Sequence, residues 1–444
     1  METAPIAIPL EMPGHALDWM RALSALPFPV FLDSAAFHGE RGRYSYLCAD
    51  PFHVEGDAAG LDAIRTAMAP WRGTSLPDFA PFQGGGVFLL SYGLSRRLER
   101  LPPARSHETP DLQCAFYDVV IALDHLRGSA ALLSTGQPER GAARRARAWE
   151  RAQHILRHVQ ASPPAWGAAP PLRPEPTVTQ AEYERMVARA RDFIFAGDIY
   201  QVNLSQEFRA VYPGDYDFLR LYERLRRVNA APFSAYLHWG PLHLLSASPE
   251  RFLRLAGQRI ETRPIKGTRP RDGDPGRDQA ERARLRESPK DRAENLMIVD
   301  LLRNDLSRVA RTGSVVVPEL FSIESFAHVH HLVSSVQGEL RPECDALDLL
   351  AASFPGGSIT GAPKIRAMEI IHELECAERG PYCGSLGWLG FDGAMDSSIL
   401  IRTISAQDGL LRFRVGGGIV ADSEPAAEYR ETMDKARGLL LALQ

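Results

Sequence analysis

Ser234-Ala235-Tyr236-Leu237-His238-Trp239-Gly240-Pro241-Leu242-His243-Leu244-Leu245-Ser246-Ala247-Ser248-Pro249-Glu250-Arg251-Phe252-Leu253-Arg254-Leu255 carries apolar runs in close succession, punctuated by Gly and Pro. Ser234 to Trp239, Leu242 to Ser246 and Phe252 to Leu255 read as short strands, with Ser248-Pro249-Glu250-Arg251 at a turn. Arg259 to Thr262 leads on into Arg263-Pro264-Ile265-Lys266-Gly267-Thr268-Arg269. Helices and strands elsewhere are mixed without regular alternation. The expected class is therefore α+β, not a doubly wound parallel sheet.

Lysine is scarce. It occurs only at 266, 290, 364 and 435, so 47 of the 51 basic residues are arginine. A lysine amine can lose its proton when desolvated or crowded by cations, and then acts as nucleophile or base; arginine cannot. Lys266 lies among Arg263, Arg269 and Arg271. A solvated basic strand end has the same local pattern.

At 444 residues, one large or two fused domains are expected. A net charge of −4 speaks against nucleic acid as the main partner. No uninterrupted apolar stretch reaches roughly eighteen residues, so no membrane-spanning helix is expected. The N-terminus lacks a basic region followed by an apolar run, and Cys48, Cys114, Cys344, Cys376 and Cys383 have no metal-binding spacing. Reduced thiols and a cytoplasmic location are the expectation.

Upstream, Pro29 to Leu32, Gly86 to Leu90 and Phe116 to Ile121 suggest strands, and Gly141 to Gln160 a helix with a basic face. Residues 161–177 hold six prolines and read as a stiff, irregular linker between a 1–160 region and a 178–444 region. Thr179 with Glu182 forms a capping-box pattern opening the next helix. Downstream, Asp291 to Leu306 has helical periodicity, strands dominate from Gly384 to Val420, and Pro425 to Leu443 closes the chain as a helix.

Two of these helices carry carboxylates three residues apart, Asp291 with Glu294 and Glu428 with Glu431. Each pair shares a helix face. Converging faces would make a hard-oxygen site suited to magnesium; separately, they would be solvated acidic faces. Gly416-Gly417-Gly418 after an apolar strand reads as a turn that exposes N–H groups to an anion, or as a tight bulge. Ser353 to Lys364 is a second Gly-rich loop, delivering Ser358 and Thr360 before a helix. Arg402 interrupts an apolar run and, if buried, needs an anion. Of His328, His330 and His331, at most one is expected to face a site.

Taken together, Gln201-Val202-Asn203-Leu204-Ser205, Ser248-Pro249-Glu250-Arg251-Phe252, Pro264-Ile265-Lys266-Gly267-Thr268-Arg269, Ala293 to Leu306, Gly361-Ala362-Pro363-Lys364 and Gly416 to Ala421 resemble the chorismate-utilising enzymes. That family includes anthranilate synthase component I, aminodeoxychorismate synthase component I, isochorismate synthase and salicylate synthase. The match is strong from about residue 180 onward. It is looser before that, through Phe31 to Ser34 and Gly42 to Ser45. Lys266 resembles the aminodeoxychorismate branch, since anthranilate synthases usually carry Ala there. Gln201 stands where the isochorismate and salicylate enzymes carry a water-activating Lys.

The resemblance implies a sandwich of two large antiparallel sheets with helices outside. It implies magnesium held by Glu294 and Glu431, with Asp291 and Glu428 nearby. Arg402, Tyr382, Lys435 and the Gly416, Gly417 and Gly418 backbone would hold the substrate's carboxylates. His331, Ser358, Thr360 and Gln201 would also contact chorismate. Lys266 would be the nucleophile and Glu250 the general acid. No glutaminase motif is present in the sequence, so ammonia is expected from a separate glutamine amidotransferase subunit. Ser34, Arg43, Tyr44, Ser45, Pro232 and Phe233 correspond to a pocket that can hold tryptophan. Two other readings stand beside this one: an anthranilate synthase component I, and a non-catalytic subunit that binds chorismate or tryptophan and regulates a partner.

Overall fold

The computed structural model describes residues 4–36, 42–57, 60–105, 109–326 and 329–444. His328 lies outside these. Two antiparallel sheets dominate. The 12-stranded sheet runs from Ile6–Leu10 through Ser129–Ser134, Val119–Asp124, Tyr44–Cys48 and Val30–Asp33. It continues with Phe233–Trp239, Leu242–Ser248, Thr403–Gln407, Leu410–Ile419 and Gln201–Val211, and ends on Gly361–Ala362. The 10-stranded sheet runs from Ile265–Pro270 through Val329–Glu339, Arg259–Thr262, Arg251–Ala256, Met395–Ile399, Ser385–Gly390, Gly85–Leu90 and Leu112–Tyr117 to His53–Glu55. Strands from before and after the Pro-rich segment share both sheets.

Apolar side chains fill three layers. Leu89, Leu133, Leu237, Leu244, Leu386 and Trp388 pack between the sheets. Leu17, Ile155, Leu221, Phe413 and Leu439 join helices to one outer face, and Ile64, Leu253, Ile298 and Leu350 to the other. The class is α+β, with helices outside a sandwich.

Three local readings need correction. Phe116 to Ile121 is not one strand: it breaks at Asp118, and its two parts enter different sheets. Asp118 is fully buried at the break, held by Arg151 through bonds of 3.1–3.2 Å. The Pro-rich segment is pinned as well as stiff: Trp166, Ala169 and Leu172 pack on the core, and Glu175–Pro176 pairs with Gln201–Val211. Gly416, Gly417 and Gly418 form no turn, because the strand Leu410–Ile419 runs straight through them. The capping box at Thr179 and Glu182 forms as the spacing predicts.

Candidate active site

The three glycines create room. Gly416, Gly417 and Gly418 pair with Ser205, Leu204 and Asn203 on the neighbouring strand. A Cβ on Gly418 would stand 2.2 Å from Gln201 Nε2 and 3.5 Å from Lys266 Nζ. A Cβ on Gly417 would stand 3.2 Å from Glu428 Oε2, 3.6 Å from Glu431 Oε1 and 3.8 Å from Lys435 Nζ. Strand residues alternate faces, so one glycine strand lets both groups of side chains close on the backbone. The other neighbouring strand, Thr403–Gln407, pairs only as far as Phe413. Beyond it the glycine edge has no strand partner among the described residues, and the Gly416 carbonyl accepts from Lys435 Nζ at 2.9 Å.

Lys266 is half-buried on the strand Ile265–Pro270. Burial lowers its amine below the ordinary lysine value; Glu294 opposes this and Lys435 adds to it. Glu250, 4% exposed, lies between the strands Leu242–Ser248 and Arg251–Ala256. Its neighbour Arg251 does not pair with it but closes on Asp396 at 2.9 Å. Burial raises the Glu250 carboxyl to about 7, against the opposing pull of a 2.7 Å hydrogen bond from Ser358 Oγ, the Lys266 charge and the Ile265 backbone. A buried carboxylic acid poised near neutrality therefore faces an amine held below its usual basicity.

The two acidic pairs approach this point from the helices Pro289–Ser307 and Pro425–Ala442. Burial, then Asp291 and Glu431, hold the Glu294 carboxyl up against the pull of Lys266 and Lys290. Burial and Glu431 do the same to Glu428, against the pull of Ser423. Carboxylates that repel one another in a cleft are hard-oxygen donors short of positive charge, a set that suits magnesium. They do not form a preassembled centre: no group of three donors among the described residues is close enough to hold an ion. Glu431 instead closes on Lys435 at 2.7 Å, and Glu428 accepts from Ser423 at 2.6 Å.

Arg402 is not inside a strand. It sits at a kink between Met395–Ile399 and Thr403–Gln407 with φ +53°. Burial depresses its guanidinium, no carboxylate among the described residues pairs with it, and its Nη1 makes a 3.5 Å contact to Asn229 Oδ1. His331 lies close enough to feel its charge. Burial first and Arg402 next lower His331 to about 4, so the imidazole is neutral and bonds Thr268 Oγ1 at 2.9 Å. Gln201 is 1% exposed, and its Oε1 has no partner. Thr360 turns inward, donating to the Gly356 carbonyl at 3.0 Å. Tyr382 packs by Arg379 and, with Thr403 and Arg414, lines a side cavity of about 250 Å³. His330 bonds Asp278 and Ser325.

A family model described as chorismate binding enzyme matches residues 37–441. The chain belongs to that family. It is 49% identical to aminodeoxychorismate synthase component 1 of Klebsiella aerogenes, over 100% of both chains. It is 40% identical to anthranilate synthase component 1 of Streptomyces coelicolor, over 93% of this chain and 83% of that one. Among solved structures, anthranilate synthase component I from Streptococcus pneumoniae TIGR4 superposes with a TM-score of 0.79 at 30% identity, covering 90% of this chain and 92% of that one.

Within this chorismate-binding fold, the residues noted for a tryptophan pocket enclose a separate cavity. Ser34, Arg43, Tyr44, Pro232 and Phe233 line a space of about 130 Å³. Ser45 does not line it but supports it, accepting from the Ser34 backbone N–H at 2.9 Å.

One cluster escaped the sequence reading. Glu375, Arg379 and Arg414 are 2%, 4% and 5% exposed and bond one another around Ser205. Arg414 stands two residues before Gly416 in a strand. Like Arg402 it is a charge in a largely apolar stretch, and a buried Arg needs an anion, here Glu375.

Proposed function

We propose that this chain converts chorismate and ammonia to 4-amino-4-deoxychorismate, for p-aminobenzoate and folate synthesis. The observation that carries the reading is the pairing of Lys266, an amine of lowered basicity, with Glu250, an acid raised to about 7. Lys266 Nζ adds to carbon 2 of the ring as the double bond shifts and the carbon 4 hydroxyl leaves. Glu250 donates the proton that lets the hydroxyl depart as water. Ammonia then bonds to carbon 4 and Lys266 is expelled from carbon 2, regenerating the amine. Arg402, Lys435 and the Gly416–Gly418 edge bind carboxylates, and the free Gln201 Oε1 offers an acceptor to ammonia. Magnesium, held by Glu294 and Glu431 with Asp291 and Glu428 beside them, would supply positive charge to the ring carboxylate.

Ammonia comes, in this reading, from a separate glutamine amidotransferase subunit, and the cavity at Ser34 and Phe233 holds tryptophan. Free tryptophan released on denaturation and counted by mass spectrometry tests the second point. The main test mixes protein, magnesium, chorismate and ammonium. Aminodeoxychorismate without pyruvate is the expected product. Pyruvate with anthranilate would instead establish the tryptophan-pathway reaction, the reading favoured by the 40% identical Streptomyces relative.

A further inference from the structure

The residue that ties the most elements of the cleft together is Arg379, outside every motif described above. Its Nη1 donates to the Ile359 carbonyl at 3.1 Å, inside the loop that carries Ser358. Its Nη2 donates to the Asn203 carbonyl at 2.6 Å, on the strand that carries Gln201. Its Nε and Nη2 bond both oxygens of Glu375 at 3.0 and 2.7 Å. Glu375 also accepts from Ser205 N, Ser205 Oγ and Arg414 Nη2 at 2.8, 2.8 and 2.9 Å. Arg379 thus reaches the Ser358 loop and the Gln201 strand directly, and the glycine strand through Glu375 and Arg414.

Given Glu250 as the general acid, we propose that Arg379, oriented by Glu375, is a positioning residue: it fixes the Ile359 carbonyl so that the neighbouring Ser358 hydroxyl stays on Glu250. One guanidinium spans two backbone carbonyls and a carboxylate, a geometry lysine cannot reproduce. The sheet holds the loop only from Thr360 onward, where the Thr360 carbonyl accepts from the Asn203 N–H at 2.8 Å and Gly361–Ala362 pairs with the Gln201 strand. The Ile359 carbonyl, next to Ser358, takes its side-chain bond from Arg379, and the Thr360 hydroxyl turns back onto the loop's own Gly356. A loosened loop would withdraw the Ser358 hydroxyl. The other groups facing Glu250 are Lys266 and the Ile265 backbone, both on the strand Ile265–Pro270 and untouched by Arg379.

The test compares Arg379→Lys, Ser358→Ala and the double variant with magnesium, chorismate and ammonium. Ser358 pulls the Glu250 carboxyl down, so its withdrawal raises that carboxyl further. The high-pH limb of kcat, where the acid loses its proton, should therefore shift upward in both single variants. On the plateau below that limb, where Glu250 is protonated in every variant, kcat should fall by about tenfold because the acid is weaker and less well oriented, with little change in KM for chorismate, and the double variant should fall no further than Ser358→Ala. A stationary limb in Arg379→Lys, or effects that multiply, overturns the positioning role. If Arg379→Lys does not fold, Glu375→Asp carries the same limb and coupling test. Glu250→Gln separates the two ideas: wild-type kcat there removes Glu250 as the acid, whereas lost kcat beside an unmoved limb in Arg379→Lys removes only Arg379.

Discussion

Glu250 and Glu375 are buried almost equally, at 4% and 2% exposure, yet their carboxyls move in opposite directions. Burial raises both. At Glu250 the opposing forces are one hydroxyl, one amine and one backbone N–H, and the carboxyl stays at about 7. At Glu375 two guanidiniums and Ser205 outweigh burial, and the carboxyl falls below its ordinary value. The cleft leaves charges unsatisfied; the neighbouring network satisfies them. Unsatisfied groups do chemistry because a substrate can complete them, and satisfied groups hold the geometry in which this happens.

The largest effect expected from breaking this contrast is at Lys266. Lys266→Ala should lower turnover by at least about 1000-fold, as removal of the proposed nucleophile would. Intact-mass measurement with chorismate and magnesium, without ammonia, should lose the covalent adduct. Glu375→Gln strands two buried guanidiniums and should cost about 3 kcal/mol of stability, read by denaturant unfolding. Glu250→Gln should lower kcat by about 100-fold and abolish the fall in rate as pH rises through about 7.

The two glutamates also give opposite slopes of stability against pH. Glu250 binds its proton more tightly folded than unfolded, so it favours the fold at low pH. That contribution fades as pH climbs from the unfolded value toward about 7, roughly 3 kcal/mol in all. Glu375 binds its proton less tightly when folded. Its contribution is present above the unfolded value and is lost as pH falls through the lowered one. Unfolding of each Gln variant across pH should remove one slope and leave the other. The smallest effect should be at Lys290, whose side chain is 57% exposed and stands 4.0 Å from Glu294. Lys290→Ala should change stability by less than about 0.5 kcal/mol.

Much of the candidate site was legible in the chain. Lys266 stood out because lysine is scarce, and the acidic pairs because their spacing puts each on one helix face. Glu250 was visible as a carboxylate at a strand turn, although Arg251 beside it suggested a simple pair. Glu375 and Arg379 were not legible: they sit at a helix end and in a loop, with no shared period, whereas Arg414 carried the same signal as Arg402, a charge in a largely apolar stretch. Gly416 to Gly418 suggested a turn because glycine is permissive there. Gly416 is instead set by the Leu204 carbonyl, 2.2 Å from where a Cβ would stand, while Gly417 and Gly418 give room to the side chains of Glu428 and Gln201.

Local sequence determined the strands, the helices, the capping box and the residue types that chemistry requires, because these follow from period, propensity and functional groups of near neighbours. Tertiary structure alone decided which charges remain unpaired. Whether a buried carboxyl ends near 7 or far below depends on how many donors, from how many distant segments, arrive within about 3 Å of it, and no local pattern counts them.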